Sequence, residues 1–376
     1  MYQPFFPTAL VGHRAELAAM VQAIEARQSC LVTGVPGSGR DTLIRTAAER
    51  TGVRVIEIDC LRTLGVRQLL RHLADRLLAM ASRPRELAWI QNWSFGQPLT
   101  LELGGTGQAR LTWHIANGKE WTIFHQLLDL AQQWAEAMQF QLMIVFKNFP
   151  HLRTWDRTGT WESHLNLYIQ HESWINFVLV ASVVGTWEGD PSLATIELPP
   201  VPPEILKPWV MEQMSQVHLR FDAESKALDL FLAYVQGHLG DTIALGRRVW
   251  TDYQVCRTPE DSGLLQAHHV HQSMIALIQD ISVTFESLLL QLPLIQIRVL
   301  ESLCLDPTDK PHAKQYIQKH GLSRGGSLQG ALTSLQQKGL IYGVQHHYRI
   351  ALPLFNCWLK QRLSWEGYSP PERTWS

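Results

Sequence analysis

The stretch Gly34-Val-Pro-Gly-Ser-Gly-Arg-Asp-Thr-Leu43 decides how the chain is read. An apolar run, Cys30-Leu-Val-Thr33, precedes it, and Thr42-Leu-Ile-Arg-Thr-Ala-Ala-Glu49 follows with helical character. Strand, glycine loop and helix in that order form the setting of a phosphate-binding loop. Gly34, Val35, Pro36, Gly37, Ser38 and Gly39 fill the six-residue G-x-x-x-x-G frame. Glycines there let backbone N–H groups curl around phosphate oxygens, and the helix N-terminus adds its positive dipole end. The alternative for such a loop is an ordinary strand-to-helix turn. The next two positions depart from the motif. Arg40 stands where a phosphate-reaching lysine belongs, and Asp41 where a hydroxyl would ligate magnesium. Thr42 comes one residue late and leaves the helix on another side. Arg40 can clamp phosphate through its planar guanidinium or pair with a neighbouring acid.

Working outward, the alternation of strands and helices continues. Leu17, Met20, Val21 and Ile24 share a helix face before the loop. Val53–Ile58 reads as a strand, and Val66–Met80 as a helix with Leu69, Leu70, Leu73, Leu77 and Leu78 on one side. Leu99–Leu103 and Ala109–Ile115 around Gly104, Gly105 and Gly107 signal a hairpin, an insertion at about 95–118. After a helix at Trp121–Met138 come two buried strands, Gln141–Phe146 and Ile175–Ala181, separated by a helix at Trp161–Gln170, and an edge strand at Thr195–Leu198. The class is α/β with a doubly wound parallel sheet. Pro199-Pro-Val-Pro-Pro203 marks a stiff boundary, so residues 1–200 form the first domain. An α-helical lid follows at 201–286, a winged-helix domain at 287–363 and a loose tail at 364–376.

Composition bounds the partners. The chain has 376 residues, with 33 basic and 34 acidic side chains for a net charge of −1, so no global field recruits nucleic acid or an anionic membrane. Five cysteines without a C-x-x-C pair point to a reducing, cytoplasmic setting and away from a disulfide frame or a zinc site. No apolar run reaches the ~20 residues of a membrane span. The N-terminus carries no signal-peptide pattern. His268, His269 and His271, and His346 with His347, lack a Cys or carboxylate at ligand spacing, so no metal site is expected. Locally the charge differs. Residues 288–363 carry nine basic residues (Arg298, Lys310, Lys314, Lys319, Arg324, Lys338, Arg349, Lys360, Arg362) against three acidic ones (Glu301, Asp306, Asp309). The helix expected to read DNA there, Ser327–Lys338, presents Gln329, Thr333, Gln336 and Gln337 with Lys338 as its cation, and Arg349 lies on the wing. Glutamines can read adenine edges, and the same face suits a protein partner.

Several motifs together make the chain resemble the archaeal-type ATPase family, P-loop relatives of the AAA+ and STAND proteins and of replication-origin initiators. Val11-Gly-His-Arg-Ala-Glu-Leu17 resembles the family's box before the phosphate loop, which brings Val11 and Gly12 to the nucleotide, with His13 in place of an arginine. Tyr168-Ile-Gln-His-Glu172 precedes the strand that ends in Val180-Ala-Ser-Val183, and Ser182 takes the sensor position. Gln236-Gly-His-Leu-Gly240 resembles the turn in the family's lid, after which Arg247 or Arg248 would be a sensor arginine; both also suit a solvated helix face. The winged-helix segment matches over Leu292-Pro-Leu-Ile-Gln296, Lys338-Gly-Leu-Ile341 and Leu352-Pro-Leu-Phe355, where Leu352 replaces an expected acid.

The resemblance implies ATP or ADP as ligand, and it exposes a second departure. The family's other nucleotide motif ends a strand in Asp-Glu, for magnesium and for the attacking water. Here the strand ends in Lys147-Asn148. Both halves of a hydrolytic site are altered, so Mg²⁺ and catalysis are not expected, and Lys147 is expected to face Asp41 in place of the metal, or else to reach solvent. The resulting reading is a regulatory or scaffold protein contacting DNA, a protein partner or a second copy. The alternatives are a working ATPase acting on DNA and a purely protein-binding adaptor.

Overall fold

The computed structural model describes residues 4–5, 10–81, 83–103, 109–113, 118–170, 174–183, 192–256, 262–323, 325–343 and 347–365. The turn at Gly104–Gly107, the strand end at 114–115, His171 and Glu172, Arg324, His346 and most of the tail lie outside them. Contacts divide the chain into two compact units, residues 14–33 with 43–197, and residues 1–13 with 34–42 and 198–376.

The first unit contains α1 (Arg14–Glu25), β1 (Ser29–Thr33), most of α2 (Arg40–Thr51), β2 (Arg54–Asp59), α3 (Val66–Met80), α4 (Pro84–Ser94), β3 (Leu99–Leu103), β4 (Ala109–Trp113), α5 (Glu120–Ala137), β5 (Leu142–Lys147), α6 (Thr160–Ile169), β6 (Ile175–Ala181) and β7 (Leu193–Glu197). Five strands make one sheet in the order β2-β5-β6-β1-β7, every pairing parallel. Central strands β1 and β6 are buried along their whole length, so their sequences are mostly apolar, with Ser29, Thr33 and Asn176 as buried polar exceptions. Edge strands β2 and β7 mix buried and open positions, which is why Glu57 and Glu197 can sit in them. Trp134, Phe146 and Phe177 fill the core between sheet and helices. The hairpin β3–β4 is antiparallel and turns Leu99 and Leu111 into the same core. Helix α4 carries no strong apolar stripe. It is held by Pro84 at its start and by Glu86, which is 3% exposed and accepts from Arg54 Nη1 at 2.8 Å.

The second unit contains α7 (Pro203–Ser215), β8 (Arg220–Phe221), α8 (Ala227–Val235), α9 (Leu239–Cys256), β9 (Leu264–Leu265), α10 (Ala267–Asp280), α11 (Ser282–Leu290), α12 (Leu294–Leu305), α13 (Lys314–His320), α14 (Gly326–Gln337) and α15 (Pro353–Trp365). Single bridges Thr308–Tyr348 and Ile341–Ile350 form the wing. Lid and winged helix share one hydrophobic core, from Val201 to Leu363. Helix α15 packs on α8 and α10, and Phe285 of α11 meets Phe355 and Trp358 at 5.2 and 5.5 Å between ring centroids. Phe5 is fully buried in that core, edge-on to Trp209, and lies against Gly246, where a Cβ would come within 2.5 Å of its ring. Among the described residues no single helix is long and apolar enough to cross a membrane.

Candidate phosphate-binding site

The phosphate loop is shaped by its glycines and clamped from the lid turn. Gly37 takes φ +84°, and a Cβ there would stand 2.7 Å from the His238 ring. The Gly240 N–H donates to the Gly37 carbonyl at 3.0 Å, an approach that leaves no room for side chains on either residue. His238 Nε2 donates to the Pro36 carbonyl at 2.6 Å. Its Nδ1 lies 3.1 Å from both the Asp241 N–H and Asp241 Oδ1, accepting from the first when neutral and donating to the second when charged. Burial of His238 opposes its charge, but Asp241 and the Pro36 carbonyl outweigh burial and hold its pKa above the ordinary value.

Val35 is buried, and its carbonyl accepts the Ser38 N–H at 3.1 Å. Ser38 is 6% exposed, and its hydroxyl has no hydrogen-bond partner among the described residues. An orphaned buried hydroxyl in a loop of this curvature fits an anionic ligand such as a phosphate group. Gly39 and Thr42 are half-buried and Asp41 is exposed. Arg40 is half-buried; burial lowers its pKa and Asp41 offsets this in part, so it stays a cation at neutral pH. Val11 and Gly12 pack toward the lid: Val11 against its core, and Gly12 beside Val201.

At the end of β5, Lys147 and Asn148 are held by acids of β2. Lys147 Nζ lies 2.9 Å from Glu57 Oε2. Asn148 adopts a left-handed backbone (φ +53°) and donates from Nδ2 to Asp59 Oδ1 at 3.0 Å. Asp59 pairs in register with Lys147. Glu57, Asp59, Asp75, Arg62, Arg76, His72 and Lys147 line a cavity of about 390 Å³. The carboxylates thus lie one strand away from the positions where the resemblance requires them. The residues at the motif positions themselves, Arg40, Asp41, Lys147 and Asn148, do not make the hydroxyl-plus-carboxylate set of a phosphate-bound Mg²⁺.

The remaining candidates have structural partners. Ser182 follows directly on β6 and is half-buried. Arg247 Nη2 donates to the Phe5 carbonyl at 3.1 Å. Arg248 is paired with Asp252 at 2.8 Å and with Asp280. On the winged helix, Gln329 donates to Thr333 at 3.2 Å, and Gln337 is exposed while Gln336 is half-buried. Lys338 Nζ donates to Gln296 Oε1 at 2.8 Å. Arg349 donates to Gln236 Oε1 at 3.3 Å and covers the Tyr342 ring. His269 Nδ1 caps α10 by accepting the Gln266 N–H, His271 bonds the Tyr234 hydroxyl at 2.6 Å, and His347 pairs with Asp309.

Comparison with known proteins agrees with the fold. The model of a probable winged helix domain family matches residues 283–361. No curated protein matches the chain at the level of sequence. Among solved structures, the Walker-type ATPase PABY2304 of Pyrococcus abyssi superposes with a TM-score of 0.62 at 16% identity, covering 96% of this chain and 99% of that one. The Aeropyrum pernix ORC1 protein, solved in complex with DNA, gives 0.49 at 14% identity, covering 97% and 96%. The Thermotoga maritima RuvB Holliday junction branch migration motor gives 0.46 at 12% identity, covering 98% and 99%. The chain therefore has the fold of a Walker-type P-loop ATPase with a lid and a C-terminal winged helix.

Proposed function

We propose that the protein is a non-hydrolysing relative of the P-loop ATPases, a regulatory or scaffold protein that binds ATP or ADP through the 34–42 loop without magnesium. The observation that carries this reading is the end of β5. Lys147 and Asn148 stand where a metal-holding and a water-activating carboxylate would be needed, and both are tied to Glu57 and Asp59. Phosphoryl transfer to water needs a cation bridging the β- and γ-phosphates and a group that orients the nucleophile. Arg40 can supply charge to a bound phosphate but cannot orient water as a carboxylate does. Loop amides and the orphaned Ser38 hydroxyl supply binding without chemistry.

The winged helix is the contact module in this reading. DNA is its expected partner, given the local excess of positive charge. A protein partner or a second copy is favoured instead by the engagement of Lys338 and Arg349 with Gln296 and Gln236. Calorimetry of ADP and ATP binding, with and without Mg²⁺, tests the reading. Binding of similar strength in both conditions, with no phosphate release, is the expected result. Steady Mg²⁺-dependent release that vanishes in Gly39→Asp would show a working ATPase.

A further inference from the structure

Helix α15, the last of the winged helix, begins without a cap of its own. Leu352 occupies its N-cap position: the Leu352 carbonyl accepts the Asn356 N–H at 3.0 Å, the first bond of the helix. A leucine side chain cannot accept a hydrogen bond, so the first-turn N–H groups lack a local acceptor. The acceptor comes from the lid, 113 residues earlier: Asp241 Oδ2 takes the Leu354 N–H at 2.8 Å. Asp241 lies in the first turn of α9 and is 15% exposed.

The same aspartate holds the clamp on the phosphate loop. Its other oxygen faces His238 Nδ1 at 3.1 Å, and His238 Nε2 reaches the Pro36 carbonyl at 2.6 Å. His238 is 5% exposed, so water does not compete effectively for these bonds. Arg349 of the wing adds a second tie to the same turn, through Gln236.

We propose that Pro36, His238, Asp241 and Leu354 form a hydrogen-bonded relay by which the state of the phosphate loop sets the seating of α15, and with it the winged helix. A ligand that reshapes the loop at Pro36–Gly37 moves the imidazole, the imidazole moves the carboxylate, and the carboxylate loosens its hold on the helix. Coupling is reciprocal, so a partner that shifts the winged helix changes the loop's affinity for phosphate by the same factor. The relay deepens the reading of the 34–42 loop as a phosphate site and rests on it only for the ligand.

Hydrogen exchange of the full chain tests the relay, read at the amides of 353–356. Gly37→Ala drives a methyl into the His238 ring and is expected to raise exchange at Leu354 about tenfold, as loss of one hydrogen bond would. In the Asp241→Ala background, where that bond is already gone, Gly37→Ala is expected to add nothing there. A Leu354 amide that is as protected in Gly37→Ala as in the unmodified chain, or an effect that persists undiminished without Asp241, would overturn the relay. Leu352→Ser provides a second route that spares the loop. It gives α15 a local cap, so Asp241→Ala is then expected to change Leu354 exchange by less than about twofold; a change as large as in the Leu352 chain overturns the proposal. In the ligand arm, ADP at saturating concentration for each chain is expected to alter protection at 353–356 in the unmodified chain and to leave it unchanged in Asp241→Ala. If ADP does not bind the unmodified chain, the phosphate-site reading fails, and the variants alone decide the relay.

Discussion

Lys147 and Glu57 form an ion pair at 2.9 Å across the C-terminal ends of two parallel strands. The neighbouring pair, Asn148 and Asp59, repeats the relationship with a hydrogen bond at 3.0 Å. In the proposed reading, Lys147 and Asn148 stand at the metal and water positions of β5, and two acids of β2 engage them. Restoring the single residue is therefore expected to fail. Lys147→Asp would bring a carboxylate against Glu57 and Asp59, costing about 1 kcal/mol from like charges on neighbouring strands. Denaturant titration is expected to show that loss, and phosphate-release assays no gain of turnover; ATP hydrolysis in Lys147→Asp would refute the account of the site.

His238 gives the clamp a pH dependence. Its folded pKa is raised, so its extra stabilisation is fully present below the unfolded value of about 6.5 and is lost as pH rises through the folded value. His238→Gln keeps an N–H for the Pro36 carbonyl but cannot carry charge. The stability difference between the two chains is expected to be largest near pH 6 and to shrink above neutrality. A difference that does not vary with pH would mean that Asp241 does not stabilise the imidazolium.

Glu86 behaves in the opposite sense. Burial would raise its pKa, but the Arg54 guanidinium and the Arg83 backbone N–H lower it overall. Its contribution is present above the unfolded carboxylate value of about 4.3 and is lost as pH falls through the lowered folded value. Glu86→Gln is expected to cost ~1.5–3 kcal/mol, because a charged hydrogen bond to Arg54 disappears from a nearly closed site. A thermal or denaturant midpoint unchanged at pH 7 would contradict this.

For the winged helix, duplex DNA binding by the full chain is expected to be weak and to fall with added salt. Lys338 and Arg349 are already engaged by Gln296 and Gln236, so Lys338→Ala is expected to alter affinity less than a free phosphate contact would. Fluorescence anisotropy across a salt series gives the slope. Salt-independent binding, or tight binding of a protein through the Gln329–Gln337 face, would favour the adaptor reading.

The sequence by itself determined the class, because its local signals are strong. Predominantly apolar runs at β1 and β6 point to burial on both faces, alternation marks the edge strand β2, and Gly34–Gly39 between strand and helix define the loop. The winged helix was also legible, in the order of its helices and in the spacing of Ala331, Leu332 and Leu335 on α14. The helix at Pro84–Ser94 was not, since its anchor is the Arg54–Glu86 pair rather than a periodic stripe. Only the tertiary structure decided what the altered site residues touch. No spacing rule joins Lys147 to Glu57, His238 to Pro36 or Asp241 to Leu354, because each pair lies far apart in the chain and is brought within hydrogen-bond reach only by the folded backbone.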